Sequence, residues 1–195
     1  MKNYHFFAMI SRMKYIDRWS LMRNSRSENL SEHSMEAAVV AHALVLLHNR
    51  RFGGELNAER AALLGLYHDA PESLTGDMPT PVKYHSKELR KAYKSVEDNA
   101  CLTLINMLPD DLKGDYKPFF FPAPEDAELW KYVKAADKIC ALTKCIDEKK
   151  AGNTEFEKAE GSVREAITAM QMPEADCFLN EFLPGYSLTL DEIKG

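Results

Sequence analysis

Apolar residues recur at helical spacing along almost the whole of this chain, and that period constrains the fold more than any other feature. Phe6, Ile10 and Met13 fall at i, i+4 and i+7, which predicts a short first helix. Residues 17–31 are polar and irregular and read as a loop. Asn29 followed by Glu32 has the form of a capping box, with Ser31 a second candidate cap. The helix they open carries Met35, Val39, His42 and Leu46 on one stripe and Ala37, Val40 and Leu44 on another. Apolar on two faces, it is expected to be central and buried. It should stop at Arg50-Arg51-Phe52-Gly53-Gly54, where cations meet the helix dipole and glycine follows.

Asn57 caps the next helix, which must break near Pro71, because proline lacks the N–H and clashes with the carbonyl four residues back. The run TGDMPTP (75–81) is turn chemistry. Ser86 opens a long helix with Leu89, Tyr93, Val96, Ala100, Leu104 and Met107 as its stripe, ended by Pro109. Residues 109–125 read as a Pro- and Phe-rich connection, a hinge or lid. Leu129, Val133, Ala136 and Cys140 mark another helix. Thr154 and Glu157 form a capping box for one carrying Phe156, Ala159, Val163, Ile167 and Met170, and a last short helix covers about 174–183. Only Tyr186 to Leu190 alternates like a strand. The expected fold is all-α, one domain over residues 1–195 with about six to eight helices.

With 45% apolar and 28% charged residues the composition is that of a soluble globular protein, which excludes a disordered, collagen-like or membrane-spanning chain. No 18-residue apolar run is apparent, and the start, MKNYHFFAMISRMK, is not expected to be a signal peptide. A cytoplasmic protein with no membrane partner is expected. Cys101, Cys140, Cys145 and Cys177 lack CxxC spacing and read as reduced thiols, so the sequon at Asn29 is incidental. A net charge of −5 argues against a partner that is a nucleic acid polymer. Residues 1–26 nevertheless carry Lys2, Arg12, Lys14, Arg18, Arg23 and Arg26 against Asp17 alone. Such a segment is solvated surface, an inter-subunit contact, or a place where a small anion is held.

No phosphate-binding glycine loop, GxSxG or HExxH is present. What remains is a dispersed set of imidazoles and carboxylates. His68 and Asp69 close an apolar helix, as a surface cap, a satisfied core pair or two donors converging on an ion. Asp137 lies beside the apolar stripe of its helix, and a carboxylate there needs an arginine, a donor set or a metal. His33 stands at the start of the central helix, where a neutral imidazole is favoured and is a good metal ligand. His42 reads as a core histidine and His48 as a surface one. His5 and His85 lack carboxylate neighbours in suitable spacing.

The order His33, His68-Asp69, Asp137 resembles the HD-domain metal-dependent phosphohydrolases. The likeness extends to RWSLMRN (18–24), EHS (32–34), YHDAPESLTGDMPTPVKY (67–84), KAADKICA (134–141) and AGNTEF (151–156), which together look like the bacterial 5′-deoxynucleotidase (YfbR-like) family along nearly the whole chain. Pro71 departs from the small polar residue the family carries there, and it fixes the turn between Asp69 and Glu72.

The resemblance implies one divalent transition metal (Co, Mn, Zn, Fe or Cu) on His33, His68, Asp69 and Asp137, a donor set too rich in nitrogen for Mg or Ca. It implies Glu72 as the carboxylate that orients or deprotonates water and Arg18 as the fork that orients phosphate. Asp77 would accept from the sugar 3′-hydroxyl, and Met78, Pro79 and Thr80 would continue that wall. Asp69 and Asp137 would also face substrate, and Trp19 would lie along the ribose and crowd a 2′-hydroxyl. The implied reaction removes the 5′-phosphate of deoxyribonucleoside 5′-monophosphates. The implied assembly is a homodimer, which the apolar run 116–121 permits. Two alternatives are an HD enzyme acting on nucleoside triphosphates or signalling nucleotides, and a non-catalytic helical binding module.

Overall fold

A short helix, α1 (Phe6–Ile10), runs into a 3-10 turn over Ser11–Tyr15 and begins the chain as its spacing predicts. The computed structural model describes residues 3–83 and 85–193. Lys2, Tyr84 and the last two residues of the expected domain lie outside them. The polar loop that follows is closed by one antiparallel bridge, Asp17 to Asn29, with the Arg18 amide donating to the Glu28 carbonyl at 2.9 Å. Helix α2 (Leu30–Arg51) then starts on the expected box: Asn29 accepts from the Ser31 and Glu32 amides while Glu32 accepts from the Asn29 amide.

The remaining helices are α3 (Ala58–Tyr67), α4 (Glu72–Thr75), α5 (Thr80–Lys83), α6 (Lys87–Asn106), α7 (Asp110–Phe120), α8 (Leu129–Lys150), α9 (Glu157–Thr168) and α10 (Pro173–Glu181). Among the described residues the fold is helical apart from that single bridge, with Tyr186 and its neighbours in a 3-10 turn rather than a strand. Helices α2, α3 and α8 form the centre. Gly65 makes the α2–α3 approach possible: a Cβ there would sit 3.0 Å from the Ala38 Cα and 3.1 Å from the Ala37 carbonyl oxygen. One apolar cluster fills the space between α2, α3, α8 and α10, and a second joins Phe6, Leu104, Leu108 and Phe120. Leu30 and Ala70 belong to the second cluster and Ala37 and Leu64 to the first. His33 and the His68-Asp69 pair therefore stand at the seam between two cores.

Several expectations are corrected. Helix α2 buries only one of its two apolar stripes: Ala37, Val40 and Leu44 are inside, while Met35 and Val39 are 58% and 64% exposed and Leu46 is exposed too. His42 lies half-buried beside that outer stripe and is not a core histidine. Among the described residues α2 is also the one helix long and apolar enough to cross a membrane, yet half of that stretch is buried inside the protein. Residues 110–120 are helical rather than a hinge, because Asp110 and Asp111 favour the N-terminus and the aromatic residues find a core. Tyr116, Phe119 and Phe120 gather around Tyr67 and Phe6, so the run 116–121 is used within the protomer. The cap near residue 154 is Asn153, whose side chain accepts from the Glu155 amide. His48 is not free surface: its Nδ1 lies 2.6 Å from buried Glu174.

A buried carboxylate pins the polar loop onto α8. Glu148 is hydrogen-bonded by the Ser25 amide at 2.8 Å and Asn153 Nδ2 at 2.7 Å, and pairs with Lys144, whose ammonium also donates to the Arg26 carbonyl at 2.6 Å. Burial raises the Glu148 carboxyl, but these donors outweigh it and hold it at about 2. A carboxyl depressed from its ordinary value of 4.5 contributes stability that is complete above that value and lost as pH falls through about 2. Glu148→Gln should therefore lower the unfolding free energy at pH 7, by roughly 1–3 kcal/mol. Urea unfolding compared at pH 7 and pH 3 should show that gap narrowing; a gap independent of pH would contradict it.

Candidate metal centre and phosphate site

Three helices bring the four expected donors together. His33 comes from the first turn of α2, His68 and Asp69 from the turns after α3, and Asp137 from the middle of α8. One ligand atom from each lies within 4.8 Å of every other. His33 Nε2 is 3.4 Å from Asp69 Oδ2 and 3.2 Å from Asp137 Oδ1, and His68 Nε2 is 3.2 Å from Asp69 Oδ2. His68 Nδ1 is held 2.7 Å from the Gly65 carbonyl, which fixes that nitrogen as the donor and turns the Nε2 lone pair toward the carboxylates.

The donor set fits a metal. Nε2 of His33 and Nε2 of His68, the two nitrogens turned to the carboxylates, are buried without a hydrogen-bond partner, and a buried polar atom in that state is costly unless something else satisfies it. Two imidazoles and two carboxylates match a borderline transition metal better than Mg or Ca. Without a cation the same groups share protons. Burial disfavours charge on His68, but Asp69 and then Asp137 and the Gly65 carbonyl prevail and lift it to about 9. Burial likewise opposes the Asp69 carboxylate, and His68, His33 and Arg18 override it and hold Asp69 far below the usual range. Asp137 is lowered against its own burial, chiefly by His33.

Arg18 stands over the cluster. Its guanidinium nitrogens lie 3.1 Å from Asp69 Oδ2, 3.6 Å from Glu28 Oε1 and 3.9 Å from Asp137 Oδ1. Asp137 thus has both the arginine and the donor neighbours that its sequence context called for. Pro71, at φ −59°, sits on the 3-10 steps that carry the chain from α3 into α4, with the Glu72 amide donating to the Asp69 carbonyl at 2.9 Å. Those steps keep Glu72 beside the cluster, where one carboxylate oxygen is buried without a hydrogen bond. Burial first, and then Asp69 and Asp77, raise the Glu72 carboxyl to about 9 despite Arg18 and Lys83.

Asp77 follows Gly76, whose φ of +74° requires glycine, and it feels both Arg18 and Asp69. Burial and Asp69 raise its carboxyl, while Arg18 and a backbone hydrogen bond with Trp19 act against the rise. Met78 and Pro79 continue the turn half-buried and Thr80 is exposed. Trp19 occupies the left-handed region at φ +58°, a conformation that costs a bulky side chain about 1–3 kcal/mol. It is secured there: the indole N–H donates to Glu28 at 2.9 Å, the ring lies 5.3 Å from Phe156, and Asn24 donates to the Trp19 carbonyl. Glu28, which the sequence reading passed over, therefore meets His33, Arg18 and Trp19 at once. Its signal in the sequence was no more than a carboxylate one residue before a helix cap.

A helical bundle presenting a histidine, a His-Asp pair and a later aspartate is the architecture of the HD-domain phosphohydrolases. The chain superposes on an HD-domain phosphohydrolase from Listeria innocua with a TM-score of 0.78 at 24% identity, covering 93% of this chain and 88% of that one. It superposes on the cyanophage S-2L HD phosphohydrolase DatZ, solved with dA and one catalytic zinc ion, with a TM-score of 0.66 at 16% identity over 93% and 96% of the two chains. A family model described as 5′-deoxynucleotidase YfbR-like matches residues 5–186. A 5′-deoxynucleotidase of Vibrio atlanticus is 49% identical over 194 residues, covering 100% of both chains. One from Photorhabdus temperata is 49% identical over 190 residues, 97% of this chain and 96% of its own. The chain belongs to the YfbR-like 5′-deoxynucleotidase family.

Proposed function

We propose that this protein is a metal-dependent phosphomonoesterase that hydrolyses deoxyribonucleoside 5′-monophosphates to deoxyribonucleosides and phosphate. The observation that carries the reading is the seam between the two cores: buried imidazole nitrogens without partners, two carboxylates and an arginine fork within reach of one another. Full-length relatives named for this activity support it, as does a structural neighbour solved with deoxyadenosine and zinc.

His33, His68, Asp69 and Asp137 would hold one divalent ion, chosen among Co, Mn, Zn, Fe and Cu. When bound, such an ion supplies positive charge to the phosphoryl group and acidifies water. Arg18 takes phosphate oxygens in its planar fork and holds phosphorus for in-line attack. Glu72, desolvated and free of hydrogen bonds at one oxygen, accepts the proton of the attacking water. As the bond from phosphorus to the 5′-oxygen breaks, that oxygen takes the proton Glu72 received from the water and leaves as the nucleoside hydroxyl. Asp77 accepts from the 3′-hydroxyl, Met78, Pro79 and Thr80 line the nucleoside side, and Asp69 and Asp137 face the phosphate. Trp19 lies along the ribose.

Two arms test the reading. Purified protein should release phosphate from dAMP, stop on chelation and leave nucleoside triphosphates intact; cleavage only of triphosphates, or no turnover with any of the five metals, rejects it. Trp19→Ala should raise activity on AMP relative to dAMP by up to about 10²-fold if the indole crowds a 2′-hydroxyl. An unchanged ratio with a lower Tm would leave Trp19 as an anchor on Phe156 and Glu28 only.

The family's homodimer is proposed to form across the outer stripe of α2, where Met35, Val39 and Leu46 are exposed, in place of residues 116–121. The cytoplasm is the proposed compartment, consistent with four free cysteines.

A further inference from the structure

We infer that Glu28 is a positioning residue that sets metal affinity through His33 and locks the phosphate fork to the same carboxylate. The inference rests on the metal-centre reading above. His33 is fully buried, and its two ring nitrogens face different carboxylates: Nε2 looks toward Asp69 and Asp137, and Nδ1 lies 3.5 Å from Glu28 Oε1. A carboxylate on the far nitrogen selects the tautomer with the proton on Nδ1 and frees Nε2 to ligate, the role that the Gly65 carbonyl fills for His68. The same Glu28 oxygen is 3.6 Å from Arg18 Nε, and its other oxygen accepts from the Trp19 indole at 2.9 Å.

Glu28 is itself fixed. Its carbonyl accepts from the Arg18 amide at 2.9 Å, and the next residue, Asn29, caps α2. The carboxylate thus meets two loop side chains and the His33 imidazole at the start of a helix. Asp69 also bridges Arg18 to His33, but on the Nε2 side that faces the proposed metal, whereas Glu28 joins the loop to the opposite, Nδ1 side of the ring.

The test measures zinc, not turnover. Metal-free full-length protein is titrated with zinc against a chromophoric chelator, for wild type, Glu28→Gln and Glu28→Ala. Glu28→Gln keeps the shape and an oxygen for Trp19 but removes the charge, and it should weaken zinc binding about 10-fold; Glu28→Ala should weaken it by up to about 100-fold. Ring-nitrogen NMR should show His33 protonated on Nδ1 in the wild type and a mixture of tautomers in Glu28→Ala. Glu148→Gln, which loosens the same loop from its other side, should stay within about threefold of wild type in zinc affinity. Folded Glu28 variants with wild-type affinity, or a Glu148→Gln loss as large as theirs, overturn the inference. Wild-type protein that binds no zinc overturns it together with the metal-centre reading, whereas wild type that binds zinc without hydrolysing dAMP rejects only the proposed activity.

Discussion

Asp137→Asn is expected to fold as the wild type does, to carry no divalent metal through purification and to release no phosphate from dAMP above background. The substitution keeps the shape and size of the side chain, so no packing is lost. What it removes is one of two negative charges facing His33 Nε2 at 3.2 Å, in a site that already holds the Arg18 guanidinium. With Asp69 left as the one carboxylate of the four-donor set, beside two imidazoles and an arginine, a dication meets too little negative charge. Elemental analysis decides the matter: full occupancy in a folded Asp137→Asn protein removes Asp137 from the ligand set. A pH dependence accompanies this in the wild type. His68 is lifted to about 9, so a proton competes for its Nε2 at neutral pH and must leave when metal enters. Apparent metal affinity should therefore rise with pH up to about 9, and competition titrations at pH 6, 7 and 8 check the sign.

Glu72→Gln should leave the metal bound and lower kcat by about 10²–10⁴-fold, the range for losing an acid–base group. Glu72 stands outside the four-donor cluster, yet its carboxyl is driven up to about 9 by burial and by Asp69 and Asp77. A carboxylate in that setting is a strong base once a nearby cation keeps it ionised. The glutamine side chain preserves the fit around the buried oxygen and cannot take a proton. A kcat within a few-fold of wild type would make Glu72 a structural group on the turn made by Pro71.

Caps and periods were legible in the sequence wherever the physics is local. Asn29 with Glu32, Asn57 and Ser86 each start a helix where their side chains can reach an amide two or three residues on. The break after Tyr67 follows from Pro71, and the four candidate metal donors stood out through the motif resemblance. Side-chain spacing could not say which of two apolar stripes on α2 would be covered, since Met35 and Val39 repeat as regularly as Ala37 and Leu44. That choice was made by α3 and α8, whose small residues, Gly65 above all, admit only the Ala37 face at close range.

The aromatic residues between 116 and 121 misled in the same way. Beside Pro118 they read as a loop, but Tyr67 and Phe6 offered a core in which a helix could bury them. Glu28 and Glu148 mark the boundary most clearly. In sequence each is one more carboxylate in a polar stretch, because no local rule joins Glu28 to His33 and Arg18, or Glu148 to Ser25. Chain neighbours alone were enough for the helical class and for most helix starts, and the candidate metal donors showed through the order of a motif. The tertiary structure alone decided which carboxylates are desolvated and which cations and amides reach them, because electrostatic coupling depends on separation and burial in space.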